Sequence, residues 1–191
     1  MTNGDPGVRI RDSLAHETEA IEQLTLTAYA EYAAAVTPEF WSAYRRNIAE
    51  AIRLRLPGER VVAEATGSGR LLGSVLLIPA AHSAADADVH GRPEARLLAV
   101  DPAARGRGIG RALMTECIRR ARAAGAAALY LHTTESMRTA LGMYERMGFV
   151  RVPRHDFSPA ADVLVKGYRL ALGEAPASAA AAGRVGAGPS R

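Results

Sequence analysis

The spacing of apolar residues along this chain predicts strands and helices in alternation. Period-two or continuous apolar runs predict strands at residues 8–11, 61–65, 71–78, 94–100, 127–132, 149–152 and 163–172. Apolar residues that recur three and four positions apart predict helices that begin near Ser13, Thr37, Arg111 and Ser136. Because no internal repeat is visible, this order of elements predicts one domain of mixed α and β structure.

The apolar pattern is confined to the middle of the chain. Residues 1–7 predict a flexible start, residues 8–173 a folded domain, and residues 174–191 a disordered tail of mostly Ala, Gly, Ser and Pro. Residues 79–93 are polar and rich in alanine, which predicts a solvated loop. The histidines and aspartates of this loop lack a spacing that would make them converge, so no metal site is expected. These residues are His82, Asp86, Asp88 and His90.

A turn rich in glycine and arginine lies between a predicted buried strand and an amphipathic helix. It consists of Arg105, Gly106, Arg107, Gly108, Ile109, Gly110 and Arg111. The first N–H groups of a helix have no partner within the helix, and they lie at the positive end of its dipole. Glycines let the backbone approach a bulky anion, and arginines add positive charge around it. The turn is therefore predicted to bind a pyrophosphate, the alternative being a simple surface turn.

The spacing of the glycines narrows the choice of ligand. A P-loop needs a lysine and then serine or threonine after its last glycine, and this turn has neither. The dinucleotide motif G-x-G-x-x-G, counted from Gly106, would need glycine at position 111, which is arginine. The pattern that fits is Q/R-x-x-G-x-G/A, with Arg105, Gly108 and Gly110. It resembles the loop that binds the coenzyme A pyrophosphate in the GNAT superfamily of N-acetyltransferases.

This resemblance covers roughly residues 8–172 and is most specific from about 94 to 150, including the signature YERMGF at 144–149. It implies an α/β (α+β), GNAT-like fold with a central mixed, mostly antiparallel sheet of about six to seven strands and about four flanking helices. Strands four (94–100) and five (127–132) would splay apart to hold coenzyme A. Many members carry an asparagine where this chain has Met137, and the neighbouring Ser136 is a candidate substitute.

The resemblance also implies a reaction with acetyl-coenzyme A as co-substrate. An acetyl group would pass to a primary amine, with a small-molecule amine as the favoured acceptor, by direct attack in a ternary complex. Pantetheine would pair with the backbone of Leu98, Ala99 and Val100, and an N–H of Leu98 or Ala99 would polarise the thioester carbonyl. Tyr144 would protonate the departing thiolate, and Glu94 would remove the proton from the amine.

The remaining candidate residues concern the base and the acceptor. His132, at the end of strand five, is the second candidate base. Trp41 and Tyr32 are the predicted substrate contacts, because the acceptor pocket of this family lies between the first two helices and the loop before strand four. Small molecules, free amino acids, antibiotics and protein N-termini all fit such a pocket. A non-catalytic acyl-coenzyme A-binding sensor or regulatory module is the alternative function.

Composition excludes several other classes of protein. The net charge is +4, but the basic residues are almost all arginines interspersed with acids, and Lys166 is the only lysine, which argues against nucleic-acid binding. A single cysteine, Cys117, excludes an internal disulfide and fits a small core residue. No apolar run reaches membrane-spanning length, and the N-terminus lacks the form of a signal peptide. We therefore expect a cytoplasmic monomer or homodimer that binds neither nucleic acid nor membrane.

Overall fold

A twisted sheet with helices on both faces organises the chain, in a computed structural model that describes residues 7–54, 58–79 and 92–173. The strands within these ranges are β1 (Val8–Asp12), β2 (Glu59–Ala65), β3 (Leu71–Ile78), β4 (Glu94–Val100), β5 (Ala128–Thr133), β6 (Val150–Arg151), β7 (Phe157–Ala160) and β8 (Val163–Ala171). The α-helices are α1 (Thr18–Tyr29), α2 (Pro38–Arg53), α3 (Ile109–Ala123) and α4 (Arg138–Arg146).

The sheet is mixed and mostly antiparallel, which confirms the expected fold. Its strand order is β1-β2-β3-β4-β5-β8-β6, with β7 paired to β8 outside this path. Among the pairs formed by these strands, β4 with β5 is parallel and the others are antiparallel. The short strand β7 lies in a segment whose sequence predicts only turns. It pairs over few residues, so its apolar pattern is too short to be distinctive.

Strands β4 and β5 pair at one end and separate at the other. Their register joins Glu94 with Tyr130 and Ala95 with Leu131, and no further pair follows although β4 continues to Val100 and β5 to Thr133. A wedge-shaped gap therefore opens in the middle of the sheet. This confirms the predicted splay of strands four and five.

Two hydrophobic cores lie on opposite faces of the sheet. Helices α3 and α4 cover one face, where the buried residues include Leu72, Leu113, Met114, Leu129 and Leu131. Helices α1 and α2 cover the other face, where the buried residues include Ile21, Ile48, Ile52 and Val62. Cys117 is fully buried in the first core and is the small core residue that its position in the apolar stripe predicts.

Helix boundaries follow local capping, with one correction. Thr37 caps α2 as predicted, because its side chain accepts a hydrogen bond from the Phe40 N–H and Pro38 occupies the first turn. Ser13 does not cap α1, which begins at Thr18 after a 3₁₀ turn over Ala15–Glu17. Glu17 instead accepts from the Leu14 N–H and pairs with Arg11, so a tertiary ion pair determines where this helix begins.

Some predictions concern parts of the chain that lie outside the described residues. These are the tail at 174–191, all but Gly7 of the start at 1–7, and most of the loop at 79–93 with its two histidines and two aspartates. No helix in the described ranges is long and apolar enough to cross a membrane. The same ranges contain no group of three or more His, Cys, Asp or Glu side chains placed to hold a metal ion.

Candidate active site

The glycine turn lies at the beginning of α3, as predicted. Gly106 and Gly108 have φ angles of 77° and 76°, a left-handed conformation that favours glycine. Gly108 is the N-cap residue of α3, and no side chain caps this end of the helix. A Cβ added at Gly106 or Gly108 would contact nothing within 4 Å, so open space lies over the turn. The uncapped end of a 15-residue helix thus faces a space in which an anion could bind.

The predicted arginines of the turn differ in their surroundings. The Arg105 guanidinium donates to Glu31 Oε2 at 2.5 Å and to the Ala28 carbonyl at 3.0 Å, which ties the turn to the end of α1. Arg107 and Arg111 are exposed at the surface, whereas the Ile109 side chain is buried in the core. Positioning of the turn by Arg105 could not be predicted from the sequence, since it depends on a contact 74 residues away.

The turn, β4 and α4 meet at Gly110. A Cβ added at this residue would lie 3.5 Å from Val100 Cγ2 and 3.5 Å from Met143 Sδ. The first turn of α3 therefore lies directly against the end of β4 and against α4. This contact brings the predicted pyrophosphate turn next to the wedge between β4 and β5.

A β-bulge interrupts β4 beside the wedge. The register pairs Ser74 with Ala99 and Leu76 with Arg96, so Leu97 and Leu98 of β4 lie opposite the single residue Val75. Leu97 has φ 52°, and it is the only non-glycine residue in the described ranges with positive φ. Leucine rarely adopts this conformation, so the bulge stores strain, as functional sites often do. The sequence carries no signal for it, because leucine is not a turn residue.

The predicted acid, Tyr144, is buried in the core on the α3 and α4 side of the sheet. Its ring packs edge-to-face on Phe149 in the core beneath α3 and α4, with the ring centroids 5.8 Å apart. Burial raises the pKa of the Tyr144 phenol well above its usual value, and the nearby phenol of Tyr32 raises it further. Tyr32 belongs to the opposite face of the sheet, beside α1. The Tyr144 hydroxyl is therefore a neutral proton donor at physiological pH.

The two candidate bases lie in contact with each other. Glu94 is buried, with 7% of its surface exposed, and its Oε1 lies 2.8 Å from His132 Nδ1. His132 Nε2 donates to the carbonyl oxygen of His155 at 3.1 Å, since a carbonyl can only accept. Adjacent positions on β4 and β5 produce this contact, because Glu94 is paired with Tyr130, two residues before His132. Glu94 is thus a buried carboxyl in contact with a second titratable side chain rather than an exposed surface glutamate.

The segment around His155 supports this pair. Arg92 Nη1 lies 2.5 Å from His155 Nε2, and the Arg92 guanidinium lies 5.2 Å from the centre of the Tyr130 ring. The His132 ring contacts Phe157 edge-on, with centroids 5.4 Å apart. Sequence reasoning missed these contacts because this segment lacks periodic apolar character and is distant in sequence from β4.

Aromatic side chains of α1, α2 and the turn between them form one cluster beside β4. Tyr29 lies 6.0 Å from Tyr32 and 6.1 Å from Tyr44, and Tyr44 lies 6.0 Å from Phe40 and 6.2 Å from Trp41, measured between ring centroids. The predicted substrate contacts Trp41 and Tyr32 are both partly exposed, whereas Tyr29 is buried. The structure thus brings the predicted acceptor residues together around Tyr44.

Met137 replaces the expected asparagine at the start of α4. Its sulfur accepts a hydrogen bond from the Thr133 hydroxyl at 3.6 Å, and the side chain packs against the core beneath α1 and α2. The candidate substitute Ser136 is hydrogen-bonded to the Thr134 hydroxyl at 2.7 Å. A local turn thus engages the serine hydroxyl, and the methionine contributes packing rather than an amide.

Two surface clefts lie apart from these residues. One, of about 360 Å³, is lined by residues of β1, β2 and α1, and the other, of about 540 Å³, by residues of α1 and the start of β3. Neither contains Glu94, Tyr144 or the glycine turn. An extended ligand that is bound by exposed backbone at a helix end needs a groove rather than a deep cleft. The candidate active site is therefore defined by Glu94, Tyr144 and the glycine turn, and not by either cleft.

Comparison with known proteins identifies the family and the fold. Residues 19–149 match the family model described as the acetyltransferase (GNAT) family. A structure of histone acetyltransferase HPA2 and related acetyltransferase from Corynebacterium glutamicum superposes with a TM-score of 0.65 at 22% identity, over 90% of this chain and 99% of that one. Salmonella typhimurium yncA, solved with its cofactor acetyl-CoA, has a TM-score of 0.62 at 18% identity, over 87% of this chain and 94% of that one. At identities this low, the two superpositions show that the fold is shared and no more than that.

A curated relative is similar over a shorter region. An uncharacterized protein of Mycobacterium leprae is 40% identical over 72 residues, which are 36% of this chain. The match spans only 19% of the length of that relative.

Proposed function

This chain belongs to the acetyltransferase (GNAT) family, and we propose that it transfers an acetyl group from acetyl-coenzyme A to the primary amine of a small molecule. One observation carries this proposal. The glycine turn and the bulge of β4 lie beside the open part of the wedge, the glutamate–histidine pair lies at its narrow end, and Tyr144 directly follows Met143, whose sulfur lies against Gly110 of the turn. Direct attack within a ternary complex needs these groups together.

The turn and the wedge fit the shape of acetyl-coenzyme A. Backbone N–H groups at the start of α3 would bind its pyrophosphate over Gly106, Gly108 and Gly110, with Arg107 and Arg111 adding positive charge. Arg105 would hold the turn in place through Glu31. The backbone of Leu98, Ala99 and Val100 would pair with pantetheine, since β5 leaves this part of β4 uncovered. The Salmonella relative solved with acetyl-CoA supports this assignment.

Proton removal from the amine is assigned to Glu94. An incoming ammonium must lose a proton before its nitrogen can attack the thioester carbon. Glu94 is buried at the narrow end of the wedge, and its Oε1 lies in contact with the His132 ring at Nδ1. His132 is in turn oriented by the His155 carbonyl. Glu94 is therefore the base in this proposal and His132 its positioning residue.

The reaction also needs stabilisation of the negative carbonyl oxygen and a proton for the departing thiolate. We assign the first role to the bulge and the second to Tyr144. A carbon–nitrogen bond forms at the thioester carbonyl, whose oxygen becomes negative, and an N–H of Leu98 or Ala99 at the bulge would stabilise that charge. The carbon–sulfur bond then breaks, and Tyr144 would supply a proton to the thiolate. Burial keeps this phenol protonated until it is needed. The amine nitrogen loses its second proton as the amide forms, and this proton restores the tyrosine.

Thiol release from acetyl-coenzyme A in the presence of a panel of primary amines tests the proposal. Acetyl transfer predicts amine-dependent thiol release and an acetylated product whose mass is that of the amine plus one acetyl group. Stabilisation of the protein by acetyl-coenzyme A without release in the presence of any amine would contradict catalysis and support the alternative, an acyl-coenzyme A-binding sensor.

A further inference from the structure

Arg96 is a cation placed beside the proposed base. It lies two residues after Glu94 on β4, and the intervening Ala95 belongs to the core beneath α3, so Glu94 and Arg96 face the side of α1 and α2. Arg96 Nε lies 4.0 Å from Glu94 Oε1, beyond hydrogen-bond distance. About half of the Arg96 side chain, 46%, is exposed. Its donor groups thus remain open to solvent close to the site of proton removal.

The other arginines whose ion pairs are seen in the described part of the chain are engaged differently. Their guanidinium groups contact carboxylate oxygens at 2.8 Å or less, as seen for Arg9, Arg11, Arg53, Arg70, Arg105, Arg119, Arg120 and Arg151. In those pairs the carboxylate occupies donor groups of the guanidinium. Arg96 keeps the capacity for a bidentate contact with an anion that comes from outside the chain.

The aromatic cluster lies on the same side of the sheet as Arg96. Leu97, the next residue of β4, packs in the same core cluster as Tyr29 and Tyr44. Burial raises the pKa of both phenols, and the positive charge of Arg96 opposes this rise. Trp41 and Tyr32 border the same cluster and are partly exposed. A molecule bound here would meet a carboxylate, a guanidinium and aromatic rings.

We propose that Arg96 binds the carboxylate of the acceptor, and that the acceptor is an α-amino acid with an apolar side chain. This inference rests on the proposed acetyl transfer. The amine would lie at Glu94, the carboxylate at Arg96 and the side chain against the aromatic cluster around Tyr44. The separation of 4.0 Å between Glu94 and Arg96 suits an amine and a carboxylate on the same carbon atom. Arg96 is thus a specificity-determining residue.

Matched acceptors test this assignment directly. L-Phenylalanine, L-leucine and L-methionine are each compared with the amine that lacks only the carboxylate, namely 2-phenylethylamine, 3-methylbutylamine and 3-(methylthio)propylamine. Thiol release from acetyl-coenzyme A gives kcat/KM for each member of a pair. The amine cannot form the charge-assisted hydrogen bond that the carboxylate would accept from Arg96. We therefore expect kcat/KM to be about ten- to one-hundredfold higher for the amino acid than for its amine.

Variants of Arg96 separate recognition from other roles. Arg96→Gln is expected to lower kcat/KM for the amino acid to about the level of its amine and to leave the amine within about twofold of wild type. Arg96→Lys retains the charge and should keep part of the preference. Arg119→Gln is the matched control, because Arg119 pairs with Glu116 on the exposed face of α3, and it should change neither value.

The outcomes are distinguishable. Equal kcat/KM for an amino acid and its amine in the wild-type protein would overturn the inference and leave acetyl transfer standing. An equal loss for both acceptors in Arg96→Gln would show that Arg96 acts through Glu94 or through folding, which also overturns it. If Arg96→Gln does not fold, the wild-type comparison and Arg96→Lys decide the question. If none of the amines supports thiol release, the acetyl transfer itself is overturned, and this inference with it.

Discussion

Gly167 lies so close to His155 that a Cβ added to it would be 2.6 Å from the His155 Cβ. Gly167 is also the cross-strand neighbour of His132 in the pairing of β5 with β8. Only a residue without a side chain lets the segment at 153–155 lie against β8 at this point. That segment supplies the His155 carbonyl that accepts from His132 Nε2. A glycine of the neighbouring strand β8 thus allows the contact that orients His132 beside Glu94.

Replacing this glycine should reduce both stability and activity. Gly167→Ala would push His155 away from β8, and overpacking of this kind costs about 1–3 kcal/mol. We expect Tm to fall by several degrees and kcat to fall more than KM changes, since His132 loses its carbonyl partner. Gly67→Ala is the control, because a Cβ there meets nothing within 4 Å. Unchanged thermal unfolding and turnover in Gly167→Ala would show that the packing at this position is loose.

Glu94→Gln tests the base. The amide keeps a hydrogen bond to His132 but cannot accept the ammonium proton, so kcat should fall by about 10²–10⁴-fold and the acidic limb of the pH–rate profile should disappear. His132→Gln should have a smaller effect, since it removes only orientation. Glu135→Gln, at an exposed glutamate paired with Lys166, serves as the control. A Glu94→Gln variant with a normal profile and rate would reassign proton removal to another group.

Tyr144→Phe tests the acid. Loss of the hydroxyl should leave acetyl-coenzyme A affinity unchanged and lower kcat by about ten- to a thousandfold. Because burial raises the pKa of this phenol above its ordinary value, it remains protonated in mildly alkaline solution. The wild-type rate should therefore show no alkaline loss from Tyr144 below about pH 10. Tyr168→Phe, at a buried tyrosine of β8, is the control. Equal rates for Tyr144→Phe and wild type would exclude the role.

Gly108→Asp tests the pyrophosphate turn. In wild type, millimolar acetyl-coenzyme A should raise Tm by mass action. The aspartate would place a side chain and a negative charge at the phosphate position and should abolish this response. Gly125→Asp is a matched control, because Gly125 has nearly the same φ of 77° and an open Cβ direction. Both variants should lose stability through strain, and only Gly125→Asp should still respond. A response retained in Gly108→Asp would place the pyrophosphate elsewhere.

The ion pair that precedes α1 should make stability depend on pH. Hydrogen bonds from Arg11 hold the pKa of Glu17 below its ordinary value, against the opposing effect of burial. A carboxyl whose folded pKa is lowered stabilises the fold above its unfolded pKa, and this contribution is lost as pH falls through the folded value. Arg11→Met should therefore lower Tm by a few degrees at pH 7. The difference from wild type should shrink below about pH 4, as thermal unfolding across pH would show. A difference independent of pH would exclude this cause.

The sequence by itself determined the order of the elements apart from the short strand β7, and the identity of the family. Apolar spacing is a local property, and it predicts the strands and helices to within a few residues at most boundaries. The turn at 105–111 combines glycines with a following helix, which is also a local signal. Gly106 and Gly108 adopt positive φ, as residues without a Cβ can. Tyr144 could also be identified from the sequence, because the signature YERMGF at 144–149 is a contiguous, local motif.

Only the tertiary structure decided how these residues meet. The wedge between β4 and β5 and the bulge at Leu97 depend on strand register, which is a relation between distant segments. Contact between Glu94 and His132 joins residues 38 positions apart, and the tie between Arg105 and Glu31 joins residues 74 apart. Arg96 was not predicted, because its place two residues after Glu94 is ordinary for a strand, and only the packing of α1 and α2 puts the aromatic cluster on that face. Packing of both faces of the sheet, a property of the whole chain, determines these distances.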